Sequence, residues 1–188
     1  GLSGVFSCIN SNCNKKTNNQ QDDNFALGKF YNEPKLNCEC GGRVYEIYTH
    51  RNCGASYIVG YTNIRGDFLW HEKPSIYNIF NHSTDQVNER LYKTFLFIEN
   101  IANNLTQAFD EIWLHINTGR ILSSKPNNEN NYIRCLKPSS IQRLPRETDG
   151  YYFDECPLCN QKRLIGRQGI YSIMDLATKG EQPFADLI

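Results

Sequence analysis

An excess of charge of either sign is missing from this sequence, in which 20 lysines and arginines face 20 aspartates and glutamates. A domain that binds nucleic acid through its overall charge is thereby excluded, and any such contact must come from a local patch. Long apolar runs are missing too. No stretch approaches the roughly 20 apolar residues that cross a bilayer as a helix, and the N-terminus lacks the basic-then-apolar pattern of a secretory signal. No membrane partner and a cytoplasmic location are therefore expected. Methionine is nearly absent: Met174 stands alone, and the chain starts on Gly1, so it reads as a piece of a larger protein. The composition of a disordered chain is also lacking, and 188 residues suffice for one domain, or two small ones, with a real core.

What the sequence does have is cysteine, eight of them, and their spacing separates metal sites from a disulfide framework. Four residues lie between Cys8 and Cys13, one between Cys38 and Cys40, two between Cys156 and Cys159, and two between His50 and Cys53. Short-spaced pairs suit zinc, because one tight turn aims two ligands inward and two such turns complete a tetrahedron. Turn formers sit where those turns need them: Gly41 and Gly42 in "CECGG", Gly54 in "HRNCGA", Pro157 and Asn160 in "CPLCN". The glycines and Asn160 can take positive φ, which lets backbone N–H groups point at sulfur.

The most economical assignment gives two structural zinc ions. One is held by Cys8, Cys13, Cys38 and Cys40, a local ribbon-like site. The other is held by His50, Cys53, Cys156 and Cys159, which clamps the ends of a long insertion. A swapped pairing, in which the two middle pairs share an ion, stays open, as does a disulfide framework if the protein is secreted. His50 stands where the first cysteine of a C-x-x-C-G knuckle would stand, and imidazole is a normal fourth ligand beside three thiolates. Cys135, between apolar neighbours in "NYIRCLKP", reads as a small buried hydrophobe. His71, His82 and His115 have no comparable company and read as structural.

Alternation at period two predicts strands in "RVYEIYTH" and "ASYIVGYT", paired across the His50–Cys53 knuckle, and a third in "RLYKTFLFIENI". "EIWLHINTGRIL" has the pattern of a hairpin turning at Asn117 to Gly119, and "SKPNNENN" that of a loop. "DLATKGEQPFADLI" reads as a turn followed by the start of a helix, with Pro183 in its first turn. The expected fold is α+β, mainly β, with zinc-ribbon and zinc-knuckle elements and a β-rich insertion. The expected divisions are an N-terminal zinc-ribbon region over 1–62, the insertion over 63–150, and a C-terminal knuckle and helix start over 151–188 that closes one unit with 43–62.

In order, "CINSNC", "LGKFY", "CECGGRVYEIYTHRNCGASYIVGY", a long insertion, "CPLCN" and "TKGEQPFADLI" resemble the zinc-binding central region of large bacterial superfamily 2 DEAD/DEAH-box helicases of anti-phage defence and DNA repair. That family usually has a cysteine before "RNCGA", so His50 is a departure. The resemblance implies that the whole protein hydrolyses ATP and remodels nucleic acid. It implies as partners the remainder of a helicase chain, DNA and other subunits of a defence complex.

The chain itself is expected not to be an enzyme. It has no G-x-x-x-x-G-K-[ST] phosphate loop and no aspartate–glutamate helicase box. A zinc ion with four protein ligands is closed to a reactive water. A nucleobase deaminase, which pairs a PCxxC signature with H-x-E, is disfavoured because Arg51 and Asn52 follow His50. Two roles remain. In one, the domain scaffolds a motor and contacts DNA through a basic face of Lys162, Arg163, Arg167, Arg143 and Arg146, joined by Arg134 and Lys137, with Tyr151 and Tyr152 stacking on bases. In the other, it is a protein-docking module without nucleic-acid contact.

Overall fold

The computed structural model describes residues 5–16, 27–73, 89–102, 104–144 and 148–162. Ten strands run through them: β1 (Val5–Cys8), β2 (Phe30–Tyr31), β3 (Val44–Thr49), β4 (Ser56–Thr62), β5 (Leu69–Trp70), β6 (Tyr92–Phe97), β7 (Phe109–His115), β8 (Ile121–Leu122), β9 (Tyr132–Pro138) and β10 (Gly150–Tyr151). All join one sheet in the order β2-β1-β3-β4-β6-β9-β7-β8, with β5 beside β4 and β10 beside β6. Every pairing is antiparallel except that of β10 with β6.

The α+β class is corrected to β. The described residues hold one 3-10 turn, Glu129–Asn131, and no α-helix. The period-two alternation that dominates the chain is satisfied by strands throughout, and the helix start expected around Pro183 lies outside the described residues. The hairpin across the knuckle forms, with Tyr48 opposite Tyr57 and Thr49 opposite Ser56. "RLYKTFLFIENI" yields β6, and the hairpin at Asn117 to Gly119 joins β7 to β8. Not anticipated was β9, which pairs with β7 along its whole length.

The sheet curls until its far edge meets its middle. One edge of β4 is divided between β3 and β5, and the segment leading into β5 bridges to the one leading into β8 through Phe68 and Arg120. Leu69 N–H donates to Gly119 O (2.8 Å) and Ile121 N–H to Asp67 O (2.9 Å). The ring β4-β6-β9-β7-β8-β5 thus closes, which removes the exposed edges that an open sheet leaves. Side chains alternate across it. Ile58, Leu69, Leu96, Ile112, Leu114, Ile121 and Cys135 fill the inside with Tyr45 and Ile47. Their neighbours Tyr57, Val59, Phe95, Phe97 and Leu136 form a second core on the outer face, beneath Tyr152, Phe153 and Cys156. Burying such aliphatic and aromatic side chains contributes about 1.5–3 kcal/mol each.

Candidate metal centres

The four cysteines of the first cluster come from three places: the end of β1 (Cys8), the turn after it (Cys13), and the tight loop before β3 (Cys38 and Cys40). Sγ of Cys8 lies 3.5 Å from that of Cys40, and Sγ of Cys13 lies 3.7 Å from that of Cys38. The second cluster joins the end of β3 (His50) and the following turn (Cys53) to the loop after β10 (Cys156 and Cys159). Here Sγ of Cys53 is 3.7 Å from that of Cys156, and Nδ1 of His50 is 3.1 Å from Cys53 Sγ and 3.4 Å from Cys159 Sγ. Within each cluster all four donor atoms lie within 4.8 Å of one another. A tetrahedral zinc ion with bonds of about 2.3 Å requires sulfurs about 3.8 Å apart, whereas a disulfide requires about 2.05 Å. No two of the eight cysteines are bonded to each other. Both groups could hold a metal ion, and a donor set of four sulfurs, or three sulfurs and an imidazole, fits zinc.

The local chain is shaped around the sulfurs. Backbone N–H groups of Asn10, Lys15 and Gly42 donate to Sγ of Cys8, Cys13 and Cys40, each at 3.4 Å. In the second cluster the N–H groups of Ala55 and Gln161 do the same for Cys53 and Cys159. Gly41, Gly54 and Asn160 take the positive φ that such turns require (96°, 77° and 64°). Gly42 is there for another reason: a Cβ at that position would stand 2.6 Å from Cys8 Sγ. One tyrosine hydroxyl completes each cluster, Tyr31 donating to Cys38 (3.1 Å) and Tyr57 to Cys156 (3.0 Å).

The electrostatics are compatible with a bound cation. Burial raises the Cys8 and Cys13 thiols above their ordinary range and pushes Cys53 up to about 12. Burial also works to raise Cys38 and Cys159, but donated hydrogen bonds outweigh it, bringing Cys38 to about 7 and lowering Cys159. Each cluster therefore favours one thiolate and resists the next, first because burial disfavours the charged form and then because the neighbouring sulfurs add to that resistance. A divalent cation removes that opposition, and a bound metal deprotonates coordinating thiols.

Residues 30–172 match the family model described as the YjiV N-terminal domain. The chain belongs to that family. The chain is also 32% identical over 190 residues to the Druantia protein DruE of Escherichia coli strain UMEA 4076-1. The alignment covers 100% of the chain and 10% of DruE, so the chain spans about a tenth of the length of the relative it matches. No solved structure matches it. Among the described residues no helix is long and apolar enough to cross a membrane.

The basic face fares differently from the cysteines. Arg146, Arg163 and Arg167 lie outside the described residues. Lys162 is exposed, and Arg143 is paired with Asp149 through Nε (3.1 Å). Arg134 is engaged by Glu111, and Lys137 is buried, with Nζ 3.5 Å from the centroid of the Tyr151 ring. Tyr151 and Tyr152 are 3% and 1% exposed, so neither can stack on a base. Aromatic identity near a basic run signalled surface, whereas the two rings are buried on opposite sides of the chain, Tyr151 against Lys137 and Tyr92, and Tyr152 in the outer-face core beside Phe95.

The residues without a ligand role are accounted for. Cys135 is fully buried inside the ring of strands, where burial raises its thiol well above the ordinary range. His115 ends β7, its Nδ1 accepting N–H bonds from Asn117 (3.1 Å) and Thr118 (3.3 Å) while its ring packs edge-on to Tyr132. His71 is half-buried beside Glu72, and His82 lies outside the described residues.

Proposed function

We propose that this domain is a non-catalytic, two-zinc accessory module of a larger ATP-dependent helicase of the anti-phage defence type, holding its motor in a working arrangement. The observation that carries the reading is the second cluster. His50 and Cys53 sit 103 or more positions before Cys156 and Cys159, yet the four donors converge, so one ion would clamp both ends of the intervening strands. Cys8, Cys13, Cys38 and Cys40 would hold the other ion. When bound, each ion supplies structural cross-linking, since four protein donors leave no open position for water. The cysteine motifs support the helicase assignment through their resemblance to superfamily 2 proteins. The match to one tenth of DruE supports a role inside a much longer chain.

The test couples metal content with ATP turnover. The purified chain is expected to hold about two zinc ions by mass spectrometry, falling towards one in both Cys8→Ser and His50→Ala. It should hydrolyse no ATP, whereas the longer protein containing it should do so when given DNA. Metal-free chain with oxidised cysteines, ATP turnover by the chain alone, or an inert parent protein would each overturn the reading.

A further inference from the structure

We infer that the seam closing the ring of strands is a binding cleft for an unpaired stretch of nucleic acid, with Phe68 and Trp70 as the base-stacking platform and Arg43 and Arg120 as the phosphate contacts. This deepens the proposed function, and rests on it, by placing a nucleic-acid site away from the basic run around Lys162.

The platform follows from strand geometry. Leu69 points into the core at 1% exposure, so Phe68 and Trp70 on either side of it face outwards, and both remain partly exposed. Their ring centroids are 4.5 Å apart. Phe68, just before β5, and Trp70, within it, belong to none of the described core clusters. They border an open cleft of about 390 Å³ together with Asn63, Thr118 and Arg120.

Two arginines flank the Phe68 ring, Arg120 lining the cleft and Arg43 beside it. The Arg43 guanidinium lies 5.9 Å from the Phe68 ring centroid and is steered there by its Nε–H bond to Asn117 O (3.1 Å). Arg120 is bridged directly opposite Phe68 and is exposed. Among the described residues no carboxylate pairs with Arg43 or Arg120, in contrast to Arg65, Arg90, Arg134 and Arg143. The one carboxylate lining the cleft, Asp67, is already engaged by Asn63 Nδ2 (2.7 Å) and Arg65 (3.3 Å). Two guanidinium groups without a carboxylate partner among the described residues, beside two partly exposed rings, match a base with its flanking phosphates. A duplex, whose bases are stacked on each other, offers nothing to the rings. An acidic peptide would satisfy the arginines and leave the rings unused.

The experiment is fluorescence polarisation of a labelled oligothymidylate, a blunt duplex of equal length and an acidic peptide, with the zinc-loaded chain and its variants. The single strand should bind better than the duplex. Phe68→Ala with Trp70→Ala should weaken it about tenfold or more. Neutralising two phosphates predicts a loss of about sevenfold between roughly 50 and 200 mM salt, and Arg43→Ala with Arg120→Ala should flatten that dependence. The chain has two tryptophans, so Trp113→Phe leaves Trp70 as the reporter, and oligonucleotide should quench its fluorescence.

Equal binding of duplex, wild-type affinity in the aromatic double variant, unquenched Trp70, or binding of the peptide alone would overturn the inference. Zinc content of the same samples separates the two failures. Two ions without oligonucleotide binding removes the cleft and leaves the module standing, whereas a wild-type chain without zinc removes the module.

Discussion

The two cysteine clusters are built from similar parts but stand at different places in the chain. Each has two tight turns, N–H groups aimed at sulfur and one tyrosine hydroxyl on a thiolate. The first closes a loop from Cys8 to Cys40 beside a small satellite core, whereas the second closes the chain from His50 to Cys159 over the larger outer core. By loop-closure entropy the longer clip contributes only about 1 kcal/mol more. The greater difference is what each clip would hold once an ion is bound: cluster one would pin turns at the margin of the sheet, and cluster two would pin β10 and the segment that covers Tyr57, Phe95 and Phe97. A ligand's worth is thus set by the packing it anchors.

Breaking one ligand in each cluster gives the largest contrast. Cys156→Ser should cost one zinc equivalent and lower the melting temperature by about 10 °C or more, because several kcal/mol of metal binding and the outer core go together. Cys13→Ser should also cost one equivalent but leave a cooperative melt nearer wild type, with the loss confined to residues around 8–40. Calorimetry with metal analysis and amide hydrogen exchange reads both. Equal melting losses would show that both clusters stabilise the ring of strands alike.

The cysteine pairs were visible in the sequence because ligand turns are local: spacing and the glycines that follow specify each pair before any fold is known. Which pairs share a site was less determined, and the convergence of His50 with Cys156 depends on β3 and β10 lying on either side of β4 and β6. The knuckle hairpin and β6 were legible through period-two alternation. The curl that brings Phe68 to Arg120 was not, since closure of a sheet depends on twist and pairing summed over six strands rather than on any local pattern. Burial of Lys137, Tyr151 and Tyr152 escaped for the same reason. A lysine in "CLKP" looks solvated until β9 pairs with β7 and β10 covers it.

Lys137 sharpens the comparison at intermediate size, because it lies under β10, the strand that delivers two ligands of the second cluster. Burial outweighs the attraction of Asp110 and lowers its ammonium to about 8 from 10.5. The folded state thus releases the proton before the unfolded chain does. Burial of the charge costs stability in full below pH 8, and the cost fades as pH rises towards the unfolded value. At 1.36 kcal/mol per pKa unit the cost at neutral pH is about 3 kcal/mol, offset in part by the cation over the Tyr151 ring. Lys137→Met should therefore stabilise the domain by about 1–3 kcal/mol near pH 7 in urea unfolding, with a smaller gain near pH 9.5. A gain that does not shrink with pH would mean that packing, not charge burial, sets the difference.

The smallest contrast isolates one hydroxyl in each cluster. Tyr57 is fully buried, and its hydroxyl is a donor to the equally buried Cys156 sulfur, so Tyr57→Phe removes a hydrogen bond where no water can replace it. Tyr31 is only half-buried, with Lys29 and Lys35 over its ring, and water can take over the bond to Cys38. A bond to a charged acceptor contributes about 1.5–3 kcal/mol when buried, and an exposed one well under that. Tyr57→Phe should accordingly lower stability by about 1–2 kcal/mol and hasten zinc release to a chelator from the second cluster, while Tyr31→Phe should change either by less than about 1 kcal/mol. If the two variants release zinc at the same rate, the tyrosines tune the sulfurs equally, and the difference between the clusters lies in the chain they clamp rather than in the donors around the metal.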